Sequence, residues 1–147
     1  MAKHRESQVI PLPPERLFDV VADVESYPDF VPLMSEAKIV RRFENAYETE
    51  QTLALGGLIH RFRSRTELDR PRRIIVKSFD KSFSRFNIRW SFSPTREGHC
   101  RVDFSLDCEA RQLLLKPIVE LMVMPMATTM VSAFERRALE LARHEQS

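Results

Sequence analysis

The rhythm of apolar and polar positions changes twice along the chain and so divides it into three stretches. Residues Lys3 to Pro11 suit a strand, and Pro13-Pro14 then opens a helix, because proline fits the first turn, where backbone N–H groups have no partner. Leu17, Val20, Val21 and Val24 follow at helical spacing. Pro28 ends that run by driving Tyr27 toward an extended conformation, which leaves room for one short second helical turn. From about Ser35 to Glu109 the period is two, with turn signals at Glu44-Asn45, Gly56-Gly57, Arg70-Pro71, Lys81-Ser82 and Glu97-Gly98. That spacing predicts six successive antiparallel strands.

The last two strands are the most regular. Phe86, Ile88, Trp90 and Phe92 alternate with Arg85, Asn87, Arg89 and Ser91, and Cys100, Val102, Phe104, Leu106 and Cys108 alternate with Arg101, Asp103, Ser105, Asp107 and Glu109. A sheet with one apolar face needs a cover. The C-terminal segment supplies it, since Val119, Val123, Met126, Met130, Phe134, Ala138 and Leu141 recur at steps of three and four residues. Pro117 and Pro125 fall inside this helical pattern, and each removes a hydrogen bond and crowds the preceding turn, so a kink or an interruption is expected there. The element order is β-α-α-β6-α, an α+β fold in which an antiparallel sheet wraps around a long C-terminal helix.

Composition adds limits. A chain of 147 residues suits one domain over 1–147, and 43% hydrophobic with 30% charged residues is ordinary for a globular protein. The net charge of +2 gives no global field of the kind nucleic-acid binders carry, and the helix-turn-helix near the start does not read DNA by itself, so no DNA partner is expected. Cys100 and Cys108 lie on one strand about 26 Å apart, too far for a disulfide, and read as reduced thiols of a cytoplasmic protein. No metal site is expected from Cys and His spacing, and the start has neither the apolar stretch of a signal peptide nor the composition of a transit peptide. No nucleophile elbow, phosphate-cradling glycine loop or metal-binding helix motif is present, so no catalytic residue is assigned.

Several residues on the inward faces admit two readings. Phe62, Phe86, Trp90, Phe92 and Phe104, with Met122, Met126 and Met130 on the helix, either fill a core or line a pocket. His60, Ser64 and Thr66 project to the same side and offer the few polar groups an apolar pocket uses for orientation. Arg61, Arg63 and Arg65 stand on the opposite face, as a solvated strand surface or as a phosphate-contacting one. Leu113 to Ala127 is apolar nearly all round, more than one sheet-facing stripe requires; it is too short to span a bilayer and suits peripheral contact with one.

The run Leu17-Phe18-Asp19-Val20-Val21-Ala22-Asp23-Val24-Glu25-Ser26-Tyr27-Pro28-Asp29-Phe30-Val31-Pro32 resembles the coenzyme Q-binding START-domain family. Its bacterial members are also named ribosome association toxins or polyketide cyclase/dehydrase-like proteins. Trp90-Ser91-Phe92 is similar to that family's tryptophan strand, and Met130-Val-Ser-Ala-Phe134-Glu-Arg-Arg-Ala138 to its closing helix. The chain departs from the pattern at Leu33, where a tryptophan is usual, and at Lys81-Ser82-Phe83, where Gly-Pro-Phe is usual. The resemblance implies a helix-grip fold with a cavity between sheet and helix, binding of ubiquinone or a related isoprenoid lipid without a further cofactor, and support of respiratory quinone function. It implies an entrance near Tyr27, Pro28, Phe30 and Leu33, and a place in the cytoplasm or at the inner membrane. Two alternatives come with it: a ribosome-associating protein that interferes with subunit joining, and a polyketide cyclase or dehydratase using His60 as acid or base.

Overall fold

A computed structural model of the chain describes residues 2–146; Met1 and Ser147 lie outside them. Strand β1 (Ala2–Ile10) leads into helix α1 (Pro14–Ala22), which starts on the proline pair and buries Pro14, Leu17, Phe18 and Val21. A 3-10 helix over Val24–Asp29 holds the expected second turn, with Pro28 inside it. Strands β2 (Met34–Phe43), β3 (Ala46–Leu55), β4 (Leu58–Asp69), β5 (Arg73–Lys77), β6 (Phe83–Pro94) and β7 (Cys100–Ala110) then follow, so the six expected strands are present.

All pairings are antiparallel, and the sheet order is β1-β7-β6-β5-β4-β3-β2. Each strand of the meander lies beside its sequence neighbour, and β1 closes the far edge against β7. Register shifts in β2 and near the start of β6 bend those strands, as an extra unpaired residue does. The β3–β4 hairpin turns on two residues, and Gly56 takes the left-handed φ of 58° that such a turn requires. Leu33 also has a positive φ, 69°, which is costly for a residue with a Cβ. Its carbonyl accepts a hydrogen bond from Ala54 N–H at 2.9 Å, tying the entry of β2 to the end of β3.

The C-terminal cover is helical from Leu113 onward but not uniform. A 3-10 turn (Leu113–Leu115), one turn α2 (Lys116–Ile118) and a π turn (Val119–Val123) precede α3 (Met124–Gln146). The expected interruption takes this form for a local reason. Pro125 has no N–H to give the carbonyl of Leu121 and its ring crowds that carbonyl, so the turn upstream widens and Met124 N–H reaches Val119 O, five residues back. By length and apolarity the stretch Leu113–Glu145 could cross a membrane, which revises the estimate made from Leu113 to Ala127 alone; half of its most apolar window is nevertheless buried in this fold. Its inner face joins α1 and the sheet in one core containing Trp90, Phe92, Phe104, Leu106, Met122, Met126 and Phe134.

Candidate functional site

The inner surface of the sheet and the helix enclose a space at the middle of the molecule. Val24 and Tyr27 border it from the 3-10 helix, Met34 from β2, Tyr47 and Gln51 from β3, and Phe62 and Thr66 from β4. Val76 of β5, Phe86, Ile88 and Trp90 of β6, and Met126 and Met130 of α3 complete it. The volume is about 20 Å³, room for about one water and far below the roughly 300 Å³ at which small-molecule pockets begin. The roomy cavity expected from the sequence is therefore closed in this conformation. Side chains fill it: Phe62, Phe83 and Phe86 meet with ring centroids 5.0 to 5.7 Å apart, and Trp90 meets Phe134 edge-on at 5.1 Å.

The residues singled out in the sequence separate here. Phe62, Phe86, Trp90, Met126, Met130 and Thr66 border the space. Phe92, Phe104 and Met122 do not. Phe92 stacks on Trp90 at 6.1 Å and touches Phe18 edge-on at 5.9 Å, Phe104 packs on Trp90 at 4.7 Å, and Met122 is fully buried in the core.

Ser64 is buried beside the space in a polar cluster, its hydroxyl 2.8 Å from Thr49 Oγ1 and donating to Gln51 Oε1 at 2.9 Å. His60 lies farther along β4, half-buried between Phe62 and Phe83, with Nε2 unpartnered. Burial lowers its pKa from the usual 6.5, and nearby Asp80 opposes that shift.

At the expected entrance, Tyr27 is buried and its hydroxyl donates to Val21 O, while its ring meets Phe134 at 5.0 Å. Phe30 is half-buried against Phe134 at 5.1 Å with Arg137 over its ring, Leu33 is half-buried, and Pro28 faces solvent. This corner is latched in the present conformation.

Sequence reasoning overlooked Tyr47, Thr49 and Gln51. The signal was available: Glu48 and Glu50 take the outer face of β3, so the residues between and beside them must face in. Tyr47 donates to Ala22 O at 2.8 Å. Burial pushes the Tyr27 and Tyr47 hydroxyls well above their usual pKa, so both stay protonated at neutral pH.

On the outer face the arginine row is largely engaged. Arg63 reaches Glu50 at 3.4 Å, and Arg65 reaches Glu48 at 3.8 Å and Glu67 at 3.9 Å while lying over the Phe43 ring. Arg61 is exposed beside them. Both cysteines are free and buried, with burial raising Cys100 to about 11 and Cys108 to about 12, so neither is a ready thiolate. No cluster of metal-ligating side chains occurs among the described residues.

Comparison with known proteins places this geometry in context. The sequence profile of a family described as polyketide cyclase / dehydrase and lipid transport matches residues 10–135. A Pseudomonas aeruginosa protein named ribosome association toxin RatA is 31% identical over 142 residues, covering 96% of this chain and 99% of its own. A Xenopus laevis protein named coenzyme Q-binding protein COQ10 homolog B, mitochondrial, is 26% identical over 140 residues, covering 92% of this chain and 57% of its own. Among solved structures, a START superfamily protein from Mycobacterium smegmatis superposes with a TM-score of 0.77 at 17% identity, covering 95% of this chain and 98% of the other. That likeness is one of fold.

Proposed function

Because the chain belongs to the polyketide cyclase/dehydrase and lipid transport family, we propose that it binds an apolar small molecule between sheet and helix and carries it without altering it. Ubiquinone or a related isoprenoid lipid is the leading guest, in line with the coenzyme Q-binding relative. The observation that carries the reading is the place of the closed space. Its helix wall is Met126 and Met130, unbranched side chains that change shape at low cost, next to a π turn that already departs from regular helix. Moving that wall away from β3 and β4 makes room without breaking the sheet.

Binding is favoured over catalysis by the chemistry of the lining. The titratable groups on it are Tyr27 and Tyr47, both held protonated, which leaves no base at neutral pH to abstract a proton. Mass spectrometry of lipids extracted from the protein purified from its native host tests the assignment. An isoprenoid quinone at a reproducible ratio is expected; repeated absence of any bound lipid counts against it.

The route by which a lipid arrives is suggested by the surface. The β3–β4 hairpin, the β5–β6 loop and the start of the C-terminal helical stretch fall at one end of the sheet, and they expose Ile59 (61%), Phe79 (81%), Leu113 (86%) and Leu114 (86%). Exposed side chains of this kind, beside Arg61, Lys81, Arg111 and Lys116, suit the interface of an anionic bilayer. Flotation with anionic vesicles should recover the wild type, and Leu113→Asp with Leu114→Asp should abolish recovery while leaving the unfolding midpoint unchanged.

A second reading, association with ribosomes, is favoured by the 31% identical relative named for it. The outer face of β4 is where phosphate would be met, although Glu48 and Glu50 already engage two of its three arginines. Sedimentation with ribosomes at low and high salt decides it, because phosphate contacts are strongest at low salt.

A further inference from the structure

We propose that the side-chain amide of Gln51 is the orienting donor of the interior space, and that the guest it selects is an uncharged lipid carrying a carbonyl oxygen on an otherwise apolar body. The proposal rests on the binding reading above and adds the chemistry of recognition to it.

Gln51 is 7% exposed and borders the space from β3. Its Oε1 accepts from Ser64 Oγ at 2.9 Å and lies 3.4 Å from Thr49 Oγ1, and those two hydroxyls lie 2.8 Å from each other. With Thr49 giving its hydrogen to Ser64 and Ser64 giving its own to the amide oxygen, the two short contacts form a chain that fixes the amide: its oxygen points to the hydroxyls, and its NH2 points away. The NH2 carries two hydrogens, and the acceptor it meets is the thioether of Met34 at 4.0 Å, a weak and distant one. A buried amide donor left without an oxygen partner is unfavourable, and a ligand that supplies one recovers that loss.

The hydroxyl groups of the lining are already engaged. Tyr27 donates to Val21 O, Tyr47 to Ala22 O, and Thr66 is hydrogen-bonded to Tyr47. Gln51 thus has donor capacity to spare on the β3–β4 side of the lining, and the indole N–H of Trp90 is the donor on the β6 side. Its neighbours also set the charge of the guest: the lining contains no Lys, Arg or His, so a carboxylate brought into this space would be desolvated against neutral groups alone. A ketone, quinone or ester carbonyl needs one neutral donor and no counter-charge. That is what Gln51 offers.

The test uses the full chain and neutral probes. Binding of N-phenyl-1-naphthylamine, which has no carbonyl, is measured by its fluorescence. Hexanophenone and hexylbenzene, identical except that one has C=O where the other has CH2, are then competed against it, together with 4-hexylbenzoate. The ratio of hexanophenone to hexylbenzene affinity should fall roughly five- to tenfold from wild type to Gln51→Leu, the size of one neutral hydrogen bond, and hexylbenzene, which has no acceptor, is the reference for any change in the space itself. Gln51→Met is the second variant if the leucine protein does not show a cooperative melt. An unchanged ratio overturns the role of Gln51, and wild-type protein that prefers 4-hexylbenzoate to hexanophenone at neutral pH overturns the uncharged guest. Failure of wild type to bind naphthylamine or any competitor is a different result, which removes the binding reading itself and this inference with it.

Discussion

Strands β3–β4 and β6–β7 obey the same alternation, contribute to one sheet and face the same helix, yet they bring opposite chemistry to the inner surface. The β6–β7 wall is apolar throughout its middle: Trp90, Phe92 and Phe104 form a stacked and edge-on group whose centroids are 4.7 to 6.1 Å apart, closed from above by Phe134. The β3–β4 wall places Thr49, Gln51, Ser64 and Thr66 at equivalent inward positions, all nearly inaccessible and joined largely by side-chain hydrogen bonds. A polar group in a dry core stabilises less than a hydrocarbon would, because most of what it gains it had already from water. The two halves therefore serve different ends: the aromatic wall holds the fold, and the polar wall holds a geometry.

The comparison breaks most visibly at Trp90. Truncation to alanine removes the ring that joins Phe92, Phe104 and Phe134, and the cost expected for a buried aromatic is about 3–5 kcal/mol, enough to unfold a marginal domain. Urea unfolding followed by circular dichroism measures it. A loss under about 1 kcal/mol would mean that the aromatic wall is no more structural than the polar one.

A smaller effect is expected across the sheet. Ser64→Ala removes the 2.9 Å donor from the Gln51 oxygen while Thr49 remains nearby, so the loss should be about 1–2 kcal/mol by urea unfolding, against within about 0.5 kcal/mol for Ser105→Ala on the outer face. If Ser64→Ala costs nothing, the hydroxyl cluster does not hold the amide, and the contrast between the walls is one of composition alone.

Much of this architecture was legible in the sequence because it depends on period and punctuation. The six strands follow from alternation between turn residues, and the broken start of the terminal helix follows from Pro117 and Pro125, although a sequence cannot tell a kink from a π turn. The interior was less legible for a physical reason. Alternation assigns Phe92 and Phe104 to the inner face as securely as Phe62 and Phe86, but whether an inward ring borders space or another ring depends on three-dimensional packing, which pairs Phe92 with Phe18 and Phe104 with Trp90. Volume is also invisible to a pattern, and the same residues can enclose a large cavity or the 20 Å³ found here. Gln51 was hidden by its type: glutamine is usually exposed, and only Glu48 and Glu50, the alternate positions just before it on β3, reveal that it turns inward.

The finest distinction lies within the polar strand β4 itself, between Ser64, which is hydrogen-bonded, and His60, whose Nε2 is not. The His60 ring lies against Phe62 and Phe83, burial favours its neutral form, and Asp80 offsets that effect without reversing it, so its pKa in the folded protein lies below 6.5. The unfolded chain then takes up a proton more readily than the folded one, and stability must decline as pH falls through the window beginning near pH 6.5 and ending at the lower folded value. His60→Gln has no ring to charge. Its urea midpoint should therefore drop less than that of the wild type between about pH 7 and about pH 5. Parallel declines in the two proteins would show that protonating His60 costs the fold nothing, and that this end of the polar wall is open to water while the cluster around Gln51 is not.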